Sequence, residues 1–153
     1  MNVKENLTES ELYNIGARYC SGAEHCSSEV RTKLMRGTDD ESVCEKVLER
    51  LATDRYIDEE RYARAFIHDK LQFAQWGRKK IQQELWHKGI PEPVYRALLE
   101  DIDEEAYLQT LRQILVAKRK SVSGRNDYEI KMKLARFAAS RGFETEIIFD
   151  VLE

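Results

Sequence analysis

An apolar pattern of helical spacing recurs three times along this chain, and that recurrence restricts the fold more than any single residue does. Val30, Leu34, Val43, Val47, Leu48 and Leu51 correspond to Ile81, Leu85, Val94, Leu98, Leu99 and Ile102 at a constant offset of 51 positions. A further shift of 53 carries the second set onto Leu134, Ala138, Ile147, Val151 and Leu152. Three openings also share a register: Leu7-Thr8-Glu9-Ser10, Ile57-Asp58-Glu59-Glu60 and Ile102-Asp103-Glu104-Glu105. Each is an apolar residue, a helix-capping residue, then acids or a serine, which is how a helix starts. Tandem helical units of about 45 to 50 residues have small cores and lean on their neighbours, so they present a long surface to a partner instead of enclosing a reactive pocket.

Only two prolines and seven glycines interrupt the 153 residues, and the 42% apolar fraction has helical spacing throughout. The expected fold is all-α: three tandem three-helix repeats, at 1–55, 56–101 and 102–153, in an elongated, curved arrangement. Lysine and arginine number 25 against 28 aspartates and glutamates, a net charge of -3. A protein that simply coats nucleic acid is usually strongly basic, so this near balance argues against that class. No stretch approaches the roughly 20 apolar residues of a membrane span, and the N-terminus lacks the apolar core of a signal peptide, so a cytoplasmic protein is expected. The cysteines, Cys20, Cys26 and Cys44, are odd in number and fit no metal or redox spacing, as in a reducing compartment. His25 beside Cys26 supplies two donors where a structural zinc needs about four, so neither a metal nor another cofactor is expected. Nothing resembles a coiled-coil seam, and a monomer is expected.

In the first unit Thr8 and Glu11 form a capping box, Ser27 or Ser28 caps the second helix, and Gly37 with Thr38 ends it and begins the third. In the second, Asp58 opens a helix to about Gln75 whose face carries Tyr62, Phe66, Ile67, Leu71, Phe73 and Trp76. Gly77 turns into a helix with Ile81 and Leu85 that stops at Lys88-Gly89. Pro91 and Pro93 then place the next start near Glu92, with Val94, Ala97, Leu98 and Leu99 on its apolar face. The third unit opens at Asp103, breaks at 121–126, restarts at Asn126 or Asp127, and stops at Arg141-Gly142.

Charge is sorted by helix. The middle helix of each unit is basic: Arg31, Lys33 and Arg36, then Arg78, Lys79, Lys80 and Lys88, then Lys131, Lys133, Arg136 and Arg141. Openings and closing helices are acidic. Acids near helix N-termini complement the macrodipole, but Arg78, Lys79 and Lys80 crowd a helix start, where positive charge is mildly unfavourable. Read functionally, that cluster contacts phosphates or acids on a partner. Tyr62, Phe66, Phe73 and Trp76 recur at steps of three or four and belong to a core. Trp86 follows core Leu85 by about 100° around the helix, which exposes it as an interface anchor or places it between repeats. Catalytic signatures are missing: no nucleophile elbow and no phosphate loop, and the paired acids are accounted for as caps. Catalysis and ATP hydrolysis are not expected of this chain.

These residues resemble the RecX family, regulatory proteins of the RecA recombinase. The resemblance rests on Tyr56-Ile57-Asp58-Glu59-Glu60-Arg61-Tyr62-Ala63-Arg64-Ala65-Phe66, on Gly77-Arg78-Lys79-Lys80-Ile81-Gln82-Gln83-Glu84-Leu85 with Lys88-Gly89-Ile90, and on Lys133-Leu134-Ala135-Arg136-Phe137 with Arg141-Gly142-Phe143. Arg55 stands where the family usually has glycine, and Arg78 where proline is frequent. The resemblance implies a cytoplasmic modulator that binds RecA or its filament on single-stranded DNA, lies in the filament groove and lowers ATP hydrolysis, growth and strand exchange in DNA repair and recombination. Arg78, Lys79, Lys80, Trp86, Lys88, Lys131, Lys133, Arg136 and Arg141 are the candidate partner or DNA contacts. The rival expectation is a helical-repeat protein that binds DNA directly, without the recombinase.

Overall fold

A computed structural model describes residues 6–153. The first five positions of the expected first repeat, and of the N-terminus searched for a signal peptide, lie outside the described residues. Nine α-helices and no strands are present among the described residues: α1 Glu9–Gly22, α2 Ser27–Leu34, α3 Glu41–Thr53, α4 Glu59–Asp69, α5 Arg78–His87, α6 Glu92–Glu100, α7 Glu104–Arg119, α8 Asp127–Ser140 and α9 Thr145–Leu152. A single π turn, Lys70–Ala74, continues α4. No helix is long and apolar enough to cross a membrane, and no group of three or more His, Cys, Asp or Glu is arranged to hold a metal among the described residues.

The helix starts obey their caps. Thr8 and Glu11 form the capping box of α1, and the Asp58, Asp103 and Asn126 side chains accept backbone N–H groups at the starts of α4, α7 and α8. Two starts in the first unit differ from expectation. Cys26, not a serine, is the N-cap of α2, and its N–H donates to Glu29 Oε1 at 3.2 Å. Asp40 caps α3, while Gly37 and Thr38 stay outside both helices and the Thr38 Oγ1 accepts the Asp40 N–H. The serines are drawn away because α2 begins at a joint between units, where both hydroxyls donate to the second repeat.

Three cores form, one per three-helix unit. Leu12, Val30, Leu34, Val47, Leu48 and Leu51 fill the first, Tyr62, Ile67, Ile81, Leu85, Tyr95 and Leu99 the second, and Tyr107, Leu111, Leu115, Leu134, Ala138, Phe143 and Ile148 the third. On α6, Leu99 is buried and Val94 and Leu98 pack against the core as expected, but Ala97 is exposed and Tyr95 is buried instead, its ring belonging to the same core as Ile81 and Leu85. Phe73 also departs from expectation: it is 80% exposed. The π turn adds a residue to its turn and rotates the downstream side chains by about 100°, carrying Phe73 off the buried stripe of Tyr62 and Phe66. The chain returns through Gln75 at φ 55, so the left-handed residue here is Gln75 and Gly77 is extended.

The units pack in series. The accessible surface of 9844 Å² exceeds the roughly 8,000 Å² expected of a compact monomer of 18.0 kDa. The molecule is therefore elongated.

Candidate interaction surface

The middle helices α8, α5 and α2 are joined end to end. At the first joint, the N–H groups of Gly77 and Lys79 donate to the carbonyls of Arg141 and Gly142, just past the C-terminus of α8, at 2.7 and 2.9 Å. The Arg78 N–H donates to Tyr107 Oη at 3.0 Å. At the second, the Lys88 carbonyl that ends α5 accepts the Ser28 hydroxyl from the first turn of α2 at 2.8 Å. Each helix end that would otherwise expose unpaired backbone groups thus meets the complementary end of the next unit. This resolves the basic cluster at the start of α5. Those cations stand beside the negative end of α8 as well as the positive end of α5, so the macrodipole penalty is offset.

Arg78 is the centre of the first joint. Its side chain is 17% exposed and bridges Glu104 and Glu144 at 2.6 and 2.8 Å. Its Nε donates to the Leu99 carbonyl at 3.3 Å, and its guanidinium lies 4.1 Å from the Tyr107 ring centroid. Tyr107 in turn donates its hydroxyl to Glu144. Burial lowers the Arg78 pKa, but the bonds to Glu144 and Glu104 outweigh it and the net shift is upward. Burial, reinforced by Glu144, also pushes the Tyr107 hydroxyl far up. Arg141 extends the same joint, donating to the Ala74 carbonyl at 3.2 Å while lying over the Phe137 ring.

Lys88 performs the matching task at the second joint. Its Nζ meets Glu29 Oε2 at 3.0 Å, and Ser27 donates through its N–H and hydroxyl to Glu59 Oε1 at 2.9 and 2.7 Å. Burial pushes the Glu29 carboxyl up, but Lys88, the Cys26 N–H and His25 together hold it below the usual carboxylate range.

The remaining candidates face outward or pack locally. Lys79 and Arg136 are exposed and carry no ion pair among the described residues. Trp86 is 64% exposed with His87 edge-on to it at 5.1 Å. On α5, Lys79, Gln83 and Trp86 fall at steps of four and three, so they share one exposed face. Lys80 lies over the Trp76 ring at 4.5 Å, with Lys70 over the same ring at 4.7 Å. Lys133 donates to the Ser123 carbonyl at 2.6 Å and pairs with Glu129, and Lys131 lies 5.8 Å from the Phe149 ring centroid. The structure thus brings Arg78 and Arg141 into one joint, puts Lys88 in the other, and leaves Lys79, Trp86 and Arg136 facing solvent. Helical spacing alone gives no sign of the exposed Phe73 or of Lys70 beside Trp76, because only the π turn brings them out.

An end-to-end series of three-helix units, with joints sealed by ion pairs, defines a helical-repeat protein. Family models described as the first, second and third three-helix domains of RecX match residues 13–51, 58–99 and 104–152. The chain belongs to the RecX family. It is 30% identical over 145 residues to a regulatory protein RecX from Chlorobium phaeobacteroides strain BS1, covering 95% of this chain and 93% of that one. It is 33% identical over 135 residues to the one from Prosthecochloris aestuarii, covering 88% and 87%. The crystal structure of RecX from Lactobacillus salivarius superposes with a TM-score of 0.81 at 20% identity, covering 94% of each chain, a likeness of fold.

Proposed function

We propose that this protein binds the RecA recombinase, or its filament on single-stranded DNA, and restrains ATP hydrolysis, filament growth and strand exchange. The observation that carries the reading is the outer face of the middle helices, where Lys79 and Arg136 hold no ion pair among the described residues and Trp86 stands exposed. Exposed cations with no ion pair among the described residues, together with an exposed tryptophan, are the elements of a charge-steered protein interface. An elongated series of units spans more than one subunit of a filament. Arg78 and Lys88 serve this function indirectly, by fixing how successive units are set.

The test is the rate of DNA-dependent ATP hydrolysis by the cognate RecA as this protein is titrated in, with binding to bare DNA recorded in the same buffer. The expected result is a falling rate at concentrations too low to coat the DNA. Reversing Lys79 and Arg136 to glutamate weakens the effect and reduces its salt sensitivity. Unchanged inhibition by that double variant would place the contact elsewhere.

A second reading, direct binding to DNA without the recombinase, draws on the exposed ring of Phe73 and on Lys70 and Lys80, which lie over the half-buried Trp76 nearby in sequence, since an exposed ring near cationic residues suits base stacking. Salt-sensitive binding to bare DNA near physiological ionic strength, with no effect on hydrolysis until the DNA is covered, would favour it.

A further inference from the structure

We propose that a cleft on the first unit, away from both joints, binds a short acidic peptide segment that carries an apolar anchor. The cleft lies between α1 and the C-terminal end of α2, has a volume of about 470 Å³, and is lined by Leu7, Ile15, Arg18, Tyr19, Lys33, Arg36 and Gly37. Three of these are cations and none is an acid. Arg18, Lys33 and Arg36 take part in no ion pair among the described residues, whereas the neighbouring Arg31 and Arg50 pair with Glu45 and Glu9. Clefts at other helix seams mix the signs, with Arg78 and Arg96 against Glu100 and Glu104, or Lys46 and Arg50 against Glu9, Glu49 and Asp54. A cleft on the third unit is lined by Arg112 and Arg119 without an acid, but its Arg112 is paired with Glu105.

The macrodipole of α2 accounts for Lys33 and Arg36, which sit near its negative end. It does not account for Arg18, which comes from a different helix, nor for the apolar floor that the three cations surround. That floor is formed by Leu7, Ile15 and the ring of Tyr19. The ring is held in place, with His25 stacked on it at 3.6 Å and Lys33 Nζ 5.5 Å from its centroid. Gly37 makes up part of the wall, because a Cβ there would come within 2.8 Å of the Leu7 side chain.

Such a pocket takes one apolar side chain on its floor with carboxylates on either side. A nucleic-acid backbone fits less well. It carries regularly spaced charge along its whole length and offers no apolar side chain for Leu7, Ile15 and Tyr19 to receive. The inference stands apart from the regulatory reading, since its test contains no recombinase.

Fluorescence anisotropy of a labelled peptide of alternating aspartate and leucine, titrated with the full chain, gives the measurement. Saturable binding that weakens with added salt is expected, with affinity reduced about tenfold or more by Arg18→Gln combined with Arg36→Gln. Both arginines are exposed, so the thermal melt of that double variant matches the parent, and Lys79→Gln leaves peptide binding as it was. Several results would overturn the proposal: no saturable binding, equal binding by the double variant, or equal binding of an all-aspartate peptide. Displacement by a single-stranded oligonucleotide as effective as by unlabelled peptide would also overturn it, by showing that the cleft reads charge alone.

Discussion

Among the described residues four hold a positive-φ backbone, two of them glycine: Arg55 and Gln75 at φ 64 and 55, Gly89 and Gly142 at 80 and 96. The left-handed region costs a residue with a Cβ roughly 1–2 kcal/mol. Arg55→Gly is therefore expected to stabilise the chain by about 0.5–1 kcal/mol, once the greater freedom of glycine in the unfolded state is deducted. Arg61 bonds to the carbonyl of Arg55 and not to its side chain, so that contact survives. A urea midpoint that failed to rise, at unchanged slope, would count against the assignment of strain. Gly77 is constrained differently: its φ is ordinary, but a Cβ would lie 2.4 Å from the backbone of Gly142 and Phe143. Gly89 has open space around it. Gly89→Ala should thus cost about 1 kcal/mol from backbone conformation alone, and Gly77→Ala about 3 kcal/mol because the third unit must move. Parallel denaturation curves of the two variants test that order.

At the level of elements, what matters is how helix ends meet. The start of α5 docks on the end of α8 and the start of α2 on the end of α5, and ion pairs cross each seam: Arg78 with Glu104 and Glu144 at the first, Lys88 with Glu29 and Arg61 with Glu24 at the second. Removing a largely buried cation strands its partners, so Arg78→Ala is expected to cost about 3 kcal/mol while Lys79→Ala stays within about 0.5 kcal/mol. Equal losses from the two would refute the distinction between joint and surface. The second seam should respond to acid. The folded-state pKa of Glu29 is depressed, so its contribution is present above the unfolded carboxylate value of about 4.3 and is lost as pH falls through the lower folded value. The Lys88 pKa is raised, chiefly by its bond to Glu29, so its contribution is present below about 10.4 and lost at higher alkalinity. Lys88→Gln should flatten the acid limb of stability against pH below about pH 5, and an unaltered limb would show that Glu29 is held by other groups.

Taken whole, the molecule is three modest cores in series, and apolar residues cross the seams beside the ion pairs: Cys26 of the first unit is buried in the second core, and Leu71 and Ile102 pack against both the second and the third. The surface in excess of a compact monomer has a direct correlate in solution. Small-angle scattering should give a radius of gyration clearly above the roughly 15 Å of a compact domain of 153 residues. A value at 15 Å would mean that the units fold back on one another. This arrangement also separates the two proposed surfaces: Lys79, Trp86 and Arg136 lie on the second and third units, and the cationic cleft on the first.

Much of this was legible in the residues themselves. Apolar spacing set the helices and their grouping, and Thr8, Asp58, Asp103 and Asn126 marked starts because capping is local chemistry that reaches only three residues ahead. Gly89 and Gly142 marked stops for the same reason. The angle of Trp86 to Leu85 on one helix allowed exposure or packing between repeats, and the tertiary structure decided for exposure. Contacts between units were beyond any such local rule. In sequence Arg78 and Lys79 are adjacent bases at one helix start, yet one is enclosed by Glu104 and Glu144 and the other faces water. Phe73 keeps the spacing of a core residue until one π turn rotates it outward. Which helices form was decided by residues near one another in the chain; which cations are free to meet a partner was decided only when distant units met, because a charge is neutralised by what lies beside it in space.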